Sequence, residues 1–133
     1  MVAIVDDDDD VREALSDLIL ALGLSCRAYD RAEALLAAYE PDVFDCVITD
    51  LWMPGMSGLE LLRQLRRMDG SLPVIVITSD ANPETRTQAL AAGAHACVAK
   101  PVADSVLLGH LQSALGRDDL LAGGCERTGT PDG

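Results

Sequence analysis

Apolar residues along this chain follow two rhythms that alternate five times. Short runs rich in Val, Ile and Ala occur at VAIV (2–5), SCRAY (25–29), DCVIT (45–49), PVIVIT (73–78) and ACVA (96–99). Between them, Leu, Ile and Ala recur every three or four positions, the spacing that lines one face of a helix. The first helix would carry Val11, Leu15, Leu18, Ile19 and Leu22, and the second Ala32, Leu35, Leu36 and Tyr39. Leu59, Leu62 and Leu65 mark the third, and Leu107, Leu111 and Leu115 the fifth; the fourth, NPETRTQALAAG, has the thinnest apolar face. Runs one, three and four are nearly continuous in Val and Ile, as strands covered on both faces of a parallel sheet should be. Gly23 and Gly93 stand where the first and fourth helices should end, a position that favours glycine. The pattern predicts a single α/β domain of (βα)5 form over residues 1–116. Residues 117–133, rich in Gly and charge with little to bury, are expected to form a flexible C-terminal tail.

Composition narrows what such a domain can do. A length of 133 residues is enough for one real core. Hydrophobic residues make up 49% of the chain but only four residues are aromatic, so aliphatic side chains must fill that core. The formal net charge of -12 argues against a broad surface for nucleic acid or anionic membrane, both of which need clustered Lys and Arg. Cys26, Cys46, Cys97 and Cys125 are dispersed, without a CxxC pair or histidines at metal-site spacing. Neither a disulfide framework nor a zinc site is signalled, and a reducing, cytoplasmic setting is expected. No apolar stretch approaches a membrane span and no signal-peptide pattern opens the sequence.

The chemistry concentrates at the ends of the predicted strands. IVDDDDDVR (4–12) places five consecutive carboxylates after the first one. Like charges this close resist ionising together unless something neutralises them. In an open parallel sheet, ligands gather at the carboxyl ends of the strands. Those ends carry Asp6 and Asp7, then Asp50, then Thr78 and Ser79, then Lys100 and Pro101. Hard carboxylate oxygens suit Mg²⁺, which takes one or two protein carboxylates and leaves room for water and phosphate oxygens. Asp9 and Asp10 would cap and open the first helix, where exposed N–H groups favour negative charge, and Asp8 is expected to be a solvated loop acid. An EF-hand reading of Asp6-x-Asp8-x-Asp10 fails, because Val11 and Asp17 occupy the required glycine and glutamate positions. His95 and His110 have no metal-ligand partners in sequence and are expected to be surface or packing residues.

Taken in order, IVDDDDDVREAL, ITDLWMPGMSGLELL, PVIVITS and VAKP resemble the receiver domain of a two-component response regulator, over roughly residues 2 to 116. The resemblance implies a doubly wound, flavodoxin-like sheet with strand order 2-1-3-4-5. It implies that Asp50 is the phosphoacceptor, that Asp6 and Asp7 form the acidic pair binding Mg²⁺, and that the backbone carbonyl of Trp52 is a further metal ligand. Thr78 would bond the phosphoryl oxygen, Lys100 would pair with it, and Pro101 would follow a cis peptide bond, a form seldom found except before proline. The phosphoryl donor would be a sensor histidine kinase or a phosphotransfer protein. Slow self-dephosphorylation would reset the state, making the chain a switch and not a turnover enzyme. A downstream protein partner would read a changed surface on helix four, strand five and helix five, through Thr78, Ser79, Cys97 and Pro101, with the chain monomeric or dimerising on phosphorylation. One departure stands out: most receivers carry Tyr or Phe where this chain has Cys97. An alternative is a haloacid-dehalogenase-like phosphohydrolase, since Asp7-x-Asp9-x-Val11 fits that family's DxDx[TV] pattern; it leaves Asp50 and MPGMSG unexplained.

Overall fold

A computed structural model describes residues 1–79, 82–100 and 102–116. The expectations for Pro101 and for the tail from 117 lie outside the described residues. Among the described residues five strands alternate with five helices: β1 (Val2–Val5), α1 (Asp9–Ala21), β2 (Cys26–Tyr29), α2 (Ala32–Ala38), β3 (Cys46–Asp50), α3 (Gly58–Met68), β4 (Val74–Thr78), α4 (Pro83–Ala91), β5 (Ala96–Ala99) and α5 (Asp104–Leu115). All strand pairings are parallel and the sheet order is β2-β1-β3-β4-β5, as the resemblance implied.

The pleat explains how one sheet supports two cores. Ala3, Val5, Val47, Val74 and Val76 face one way, packed with Leu35 of α2 and Leu61, Leu62 and Leu65 of α3. Val2, Ile4, Cys46, Ile48, Ile75 and Ile77 face the other way, against Leu15, Leu18 and Ile19 of α1 and Leu107 and Leu111 of α5. The parity of each strand therefore assigns its helices, and β1, β3 and β4 are buried along their whole length.

The helix boundaries show where local chemistry refined the pattern. Asp8 is no free loop acid: it is the N-cap of α1, its carboxylate accepting from the amides of Asp10 and Val11. Asp9 and Asp10 occupy the first turn, as expected, but neither is the cap, because the helix already begins at Asp9 and leaves the capping position to Asp8. α3 buries Leu61, with Leu59 only half-buried, because the helix starts at Gly58 and turns its 61/62/65 face to the sheet. α4 buries Ala89 alone, in keeping with its thin apolar face. Gly23 and Gly93 take positive φ just past α1 and α4, the left-handed conformation expected of them.

Strand order locates the site. From β1 the chain moves outward to β2, then crosses to the opposite side of β1 to form β3. The crevice at such a reversal lies at the carboxyl ends of the two strands flanking it. Here those strands end in Val5, followed by Asp6, and in Asp50.

Candidate phosphoryl and metal site

Asp6, Asp7 and Asp50 each bring a carboxylate oxygen to this crevice, and these oxygens lie within 4.8 Å of one another. Asp6 and Asp50 are buried, at 1% and 7% exposure, while Asp7 is open to solvent. From the far side of the sheet, the Lys100 ammonium reaches both buried acids, with Nζ 3.0 Å from Asp6 Oδ2 and 3.3 Å from Asp50 Oδ2. The Lys100 amide also donates to the Thr78 carbonyl at 2.8 Å, tying the residue after β5 to the end of β4. Thr78 is buried and lies one residue past Ile77, the register partner of Asp50.

The charge balance is unequal. One ammonium faces two buried carboxylates. Burial, and then the charge of Asp6, push the Asp50 carboxyl above the usual carboxylate range, although Lys100 and backbone hydrogen bonding at Trp52 pull the other way. Burial works to lower the Lys100 pKa, but its hydrogen bond to Asp6 and the charge of Asp50 outweigh this, so the group is held above its ordinary value as an ammonium. The unrelieved repulsion between Asp6 and Asp50 is what a divalent cation would remove. Hard carboxylate oxygens converging at one point suit Mg²⁺, which takes one or two of them directly and keeps water on its remaining positions.

The acceptor strand end is fixed from several sides. The Thr49 hydroxyl donates to the Asp50 carbonyl at 2.9 Å, the Leu51 amide donates to the Ile77 carbonyl at 3.3 Å, and the Gly58 amide to the Leu51 carbonyl at 2.8 Å. Gly58, at the first turn of α3, is packed so closely that a Cβ there would lie 2.1 Å from the Asp50 carbonyl oxygen. Glu33 of α2 accepts from the Met56 amide at 3.3 Å, holding the loop that turns at Gly55 with φ +79. Trp52 follows two residues after Asp50 with its side chain largely exposed.

Of the residues expected at the site, Asp6, Asp7, Asp50 and Lys100 are brought together, and Thr78 stands at the adjoining strand end. Ser79 is exposed and, with Lys100, lines a largely apolar cleft of about 570 Å³ between α1 and α5. Cys97 is buried in the core shared with α3, opposite Val76; burial pushes its thiol up, and the nearby positive charge of Arg86 only partly offsets this. Gly58 and Arg12 were not recognised from the sequence. Arg12 extends a guanidinium nitrogen to the Asp6 carbonyl at 2.6 Å and pairs with Asp9. Its visible signal was its place as the lone cation in IVDDDDDVR, three residues past Asp9. Among the described residues, no helix is long and apolar enough to cross a membrane.

Known proteins share the sequence pattern and the fold. The family model described as the response regulator receiver domain matches residues 2–112. The transcriptional regulatory protein FixJ of Azorhizobium caulinodans is 37% identical over 116 residues, which cover 87% of this chain and 55% of that protein. The response regulator protein TodT of Pseudomonas putida is 36% identical over 115 residues, covering 86% of this chain and 51% of TodT. The chain thus spans about half the length of these curated relatives. Among solved structures, FixJ-N superposes with a TM-score of 0.77 at 38% identity, covering 91% of this chain and 95% of that one. With the family model matched over residues 2–112 and these relatives at 36–38% identity, the chain belongs to the response regulator receiver domains of two-component signalling.

Proposed function

We propose that the chain is a phosphorylation-driven switch in which the Asp50 carboxylate takes a phosphoryl group from a phosphohistidine on a sensor kinase or phosphotransfer protein. The observation that carries this reading is the position of Asp50: buried, with Lys100 3.3 Å away and two further carboxylates beside it. In the transfer, the N–P bond of the donor breaks as a bond forms between an Asp50 oxygen and phosphorus, and the electron pair returns to the imidazole. Catalysis of this kind is chiefly positioning and charge neutralisation. Asp7, Asp50 and the Trp52 carbonyl would hold Mg²⁺ directly, and Asp6 mainly through water. When bound, the ion supplies Lewis-acid charge to a phosphoryl oxygen. Lys100 neutralises a second oxygen, and the Thr78 hydroxyl donates to the phosphoryl group.

The output follows from how weakly one element is anchored. With Ala89 as its one buried residue, α4 is the helix that can move at least cost, and it follows directly on the loop after Thr78. Thr78, Ser79 and Pro101 would pass the change to the outer surface of α4, β5 and α5, shifting an existing equilibrium. Cys97, small and buried in β5, fills its strand without an aromatic ring to reorient. A downstream protein reads that surface, and the unit is a monomer that can pair when phosphorylated. Residues 1–116 form the receiver. The phosphohydrolase alternative draws no support from Asp9, which opens α1 and is paired with Arg12.

The test is intact-mass analysis after incubation with acetyl phosphate and Mg²⁺. One added phosphoryl group is expected, absent in Asp50→Asn. Undiminished labelling of Asp50→Asn would reject the assignment.

A further inference from the structure

We infer that Arg12 is a positioning residue for the cation site, holding the peptide between Asp6 and Asp7 so that both carboxylates can face one ion. The inference rests on the Mg²⁺ reading above. Every oxygen of Asp6 is already engaged: Oδ2 by Lys100, Oδ1 by the Asp8 amide at 2.9 Å, and the carbonyl by Arg12 at 2.6 Å. The last contact differs from the other two, because the Asp6 carbonyl belongs to the same rigid peptide plane as the Asp7 amide. Fixing that plane fixes the direction in which the chain enters Asp7, the exposed acid of the group. Lys100 orients only the Asp6 side chain, and the Asp8 amide bonds that side chain from the peptide beyond Asp7, so the Asp6–Asp7 peptide itself is held by Arg12.

The Arg12 guanidinium can do this because it is a fork. One nitrogen bonds the Asp6 carbonyl and another pairs with the Asp9 carboxylate, so the side chain spans the start of α1 and is anchored at both ends. Its own backbone is fixed as well, the Arg12 amide donating to the Asp8 carbonyl at 3.0 Å. An ammonium on a flexible stem lacks this planar two-point geometry. With only 19% of its side chain exposed, Arg12 lies against the loop and not in solvent.

Charge and geometry make opposite demands here, which is what makes the role testable. A guanidinium beside an acidic cluster repels an incoming cation, so by charge alone its removal should tighten Mg²⁺ binding. If Arg12 orients the Asp6–Asp7 peptide, its removal should weaken binding instead, as loss of groups that orient metal ligands does.

The experiment is a Mg²⁺ titration followed by the fluorescence of Trp52, the single tryptophan, and by the amide NMR signals of Asp6, Asp7 and Asp8. The wild type should saturate, and Arg12→Gln should bind about tenfold more weakly. Arg12→Lys, which keeps the charge and loses the fork, should also bind several-fold more weakly. Binding by Arg12→Gln that is as tight as wild type or tighter overturns the inference and leaves the metal site standing. A wild type that does not saturate overturns the Mg²⁺ reading and this inference with it. If Arg12→Gln does not fold, Arg12→Lys decides alone, and an unchanged affinity there overturns the positioning role.

Discussion

Replacing Gly58 with alanine should disable Asp50 without touching any charged group. The added Cβ would lie 2.1 Å from the Asp50 carbonyl oxygen, 2.9 Å from Leu51 Cα and 3.0 Å from the Asp50 carbonyl carbon. All three obstacles are backbone, so no side chain can swing aside. To reach ordinary contact, α3 or the end of β3 must retreat by about 1 Å. The strand end is tied by Thr49, Leu51 and the Gly58 amide itself, so the displacement falls on the acceptor and its neighbours. Forcing an atom into a packed site costs about 1–3 kcal/mol. A misplacement of about 1 Å at a reacting group can slow a reaction on the order of 100-fold. Urea unfolding and the initial rate of phosphorylation by acetyl phosphate with Mg²⁺ measure the two effects separately. Gly109→Ala is the matched control: the same chemical change in the exposed middle of α5, with nothing within 4 Å of the new atom. It should gain about 0.5–1 kcal/mol from reduced backbone freedom and leave the rate unchanged. Wild-type stability and rate in Gly58→Ala would refute the close packing of α3 on the acceptor strand.

Other outcomes follow from the same geometry. Millimolar Mg²⁺ should raise the melting temperature of the wild type by mass action, and Asp7→Ala should largely abolish that response; an equal response in both would remove Asp7 from the site. Because folding raises the Asp50 pKa, the folded state holds a proton there more readily than the unfolded chain, so the charged form opposes folding at neutral pH and the penalty fades as pH falls through the folded pKa. In metal-free buffer Asp50→Asn should therefore melt above the wild type at pH 7, with the gap narrowing in acid; a gap that is absent or widens in acid would contradict the shift. Burial pushes the Cys46 thiol up to about 12, so a thiol reagent at pH 8 should modify half-buried Cys26 and spare Cys46 until the protein unfolds.

The fold was legible because its signals are local and repeated. Near-continuous Val/Ile runs marked β1, β3 and β4, and three- and four-residue spacing marked the helices. The same reading placed Asp6, Asp7, Asp50 and Lys100 at strand ends, since parallel strands carry their following residues to one edge. What was hidden depends on contacts across elements. Nothing near Gly58 in sequence says that α3 will rest against the Asp50 carbonyl; MPGMSG reads as a turn until α3 is docked. Asp8 looked like one more solvated acid, because in a row of five carboxylates the capping one is selected by where the helix starts. Arg12 could be seen as a neighbour of acids, but its hold on a backbone carbonyl six residues earlier exists only once α1 has formed. The division of one lysine between two buried carboxylates likewise needs the sheet order, which sets Asp6 and Asp50 side by side.

If Asp50 is the acceptor, the phosphoryl group goes to it and to no other acid of the crevice. An aspartyl phosphate is reduced by borohydride to homoserine, which marks the acceptor permanently and survives peptide mass spectrometry. After phosphorylation with acetyl phosphate and Mg²⁺, homoserine is expected at position 50 alone. Homoserine at position 7 or 9, with Asp50 intact, would contradict it and favour phosphohydrolase chemistry at the end of β1.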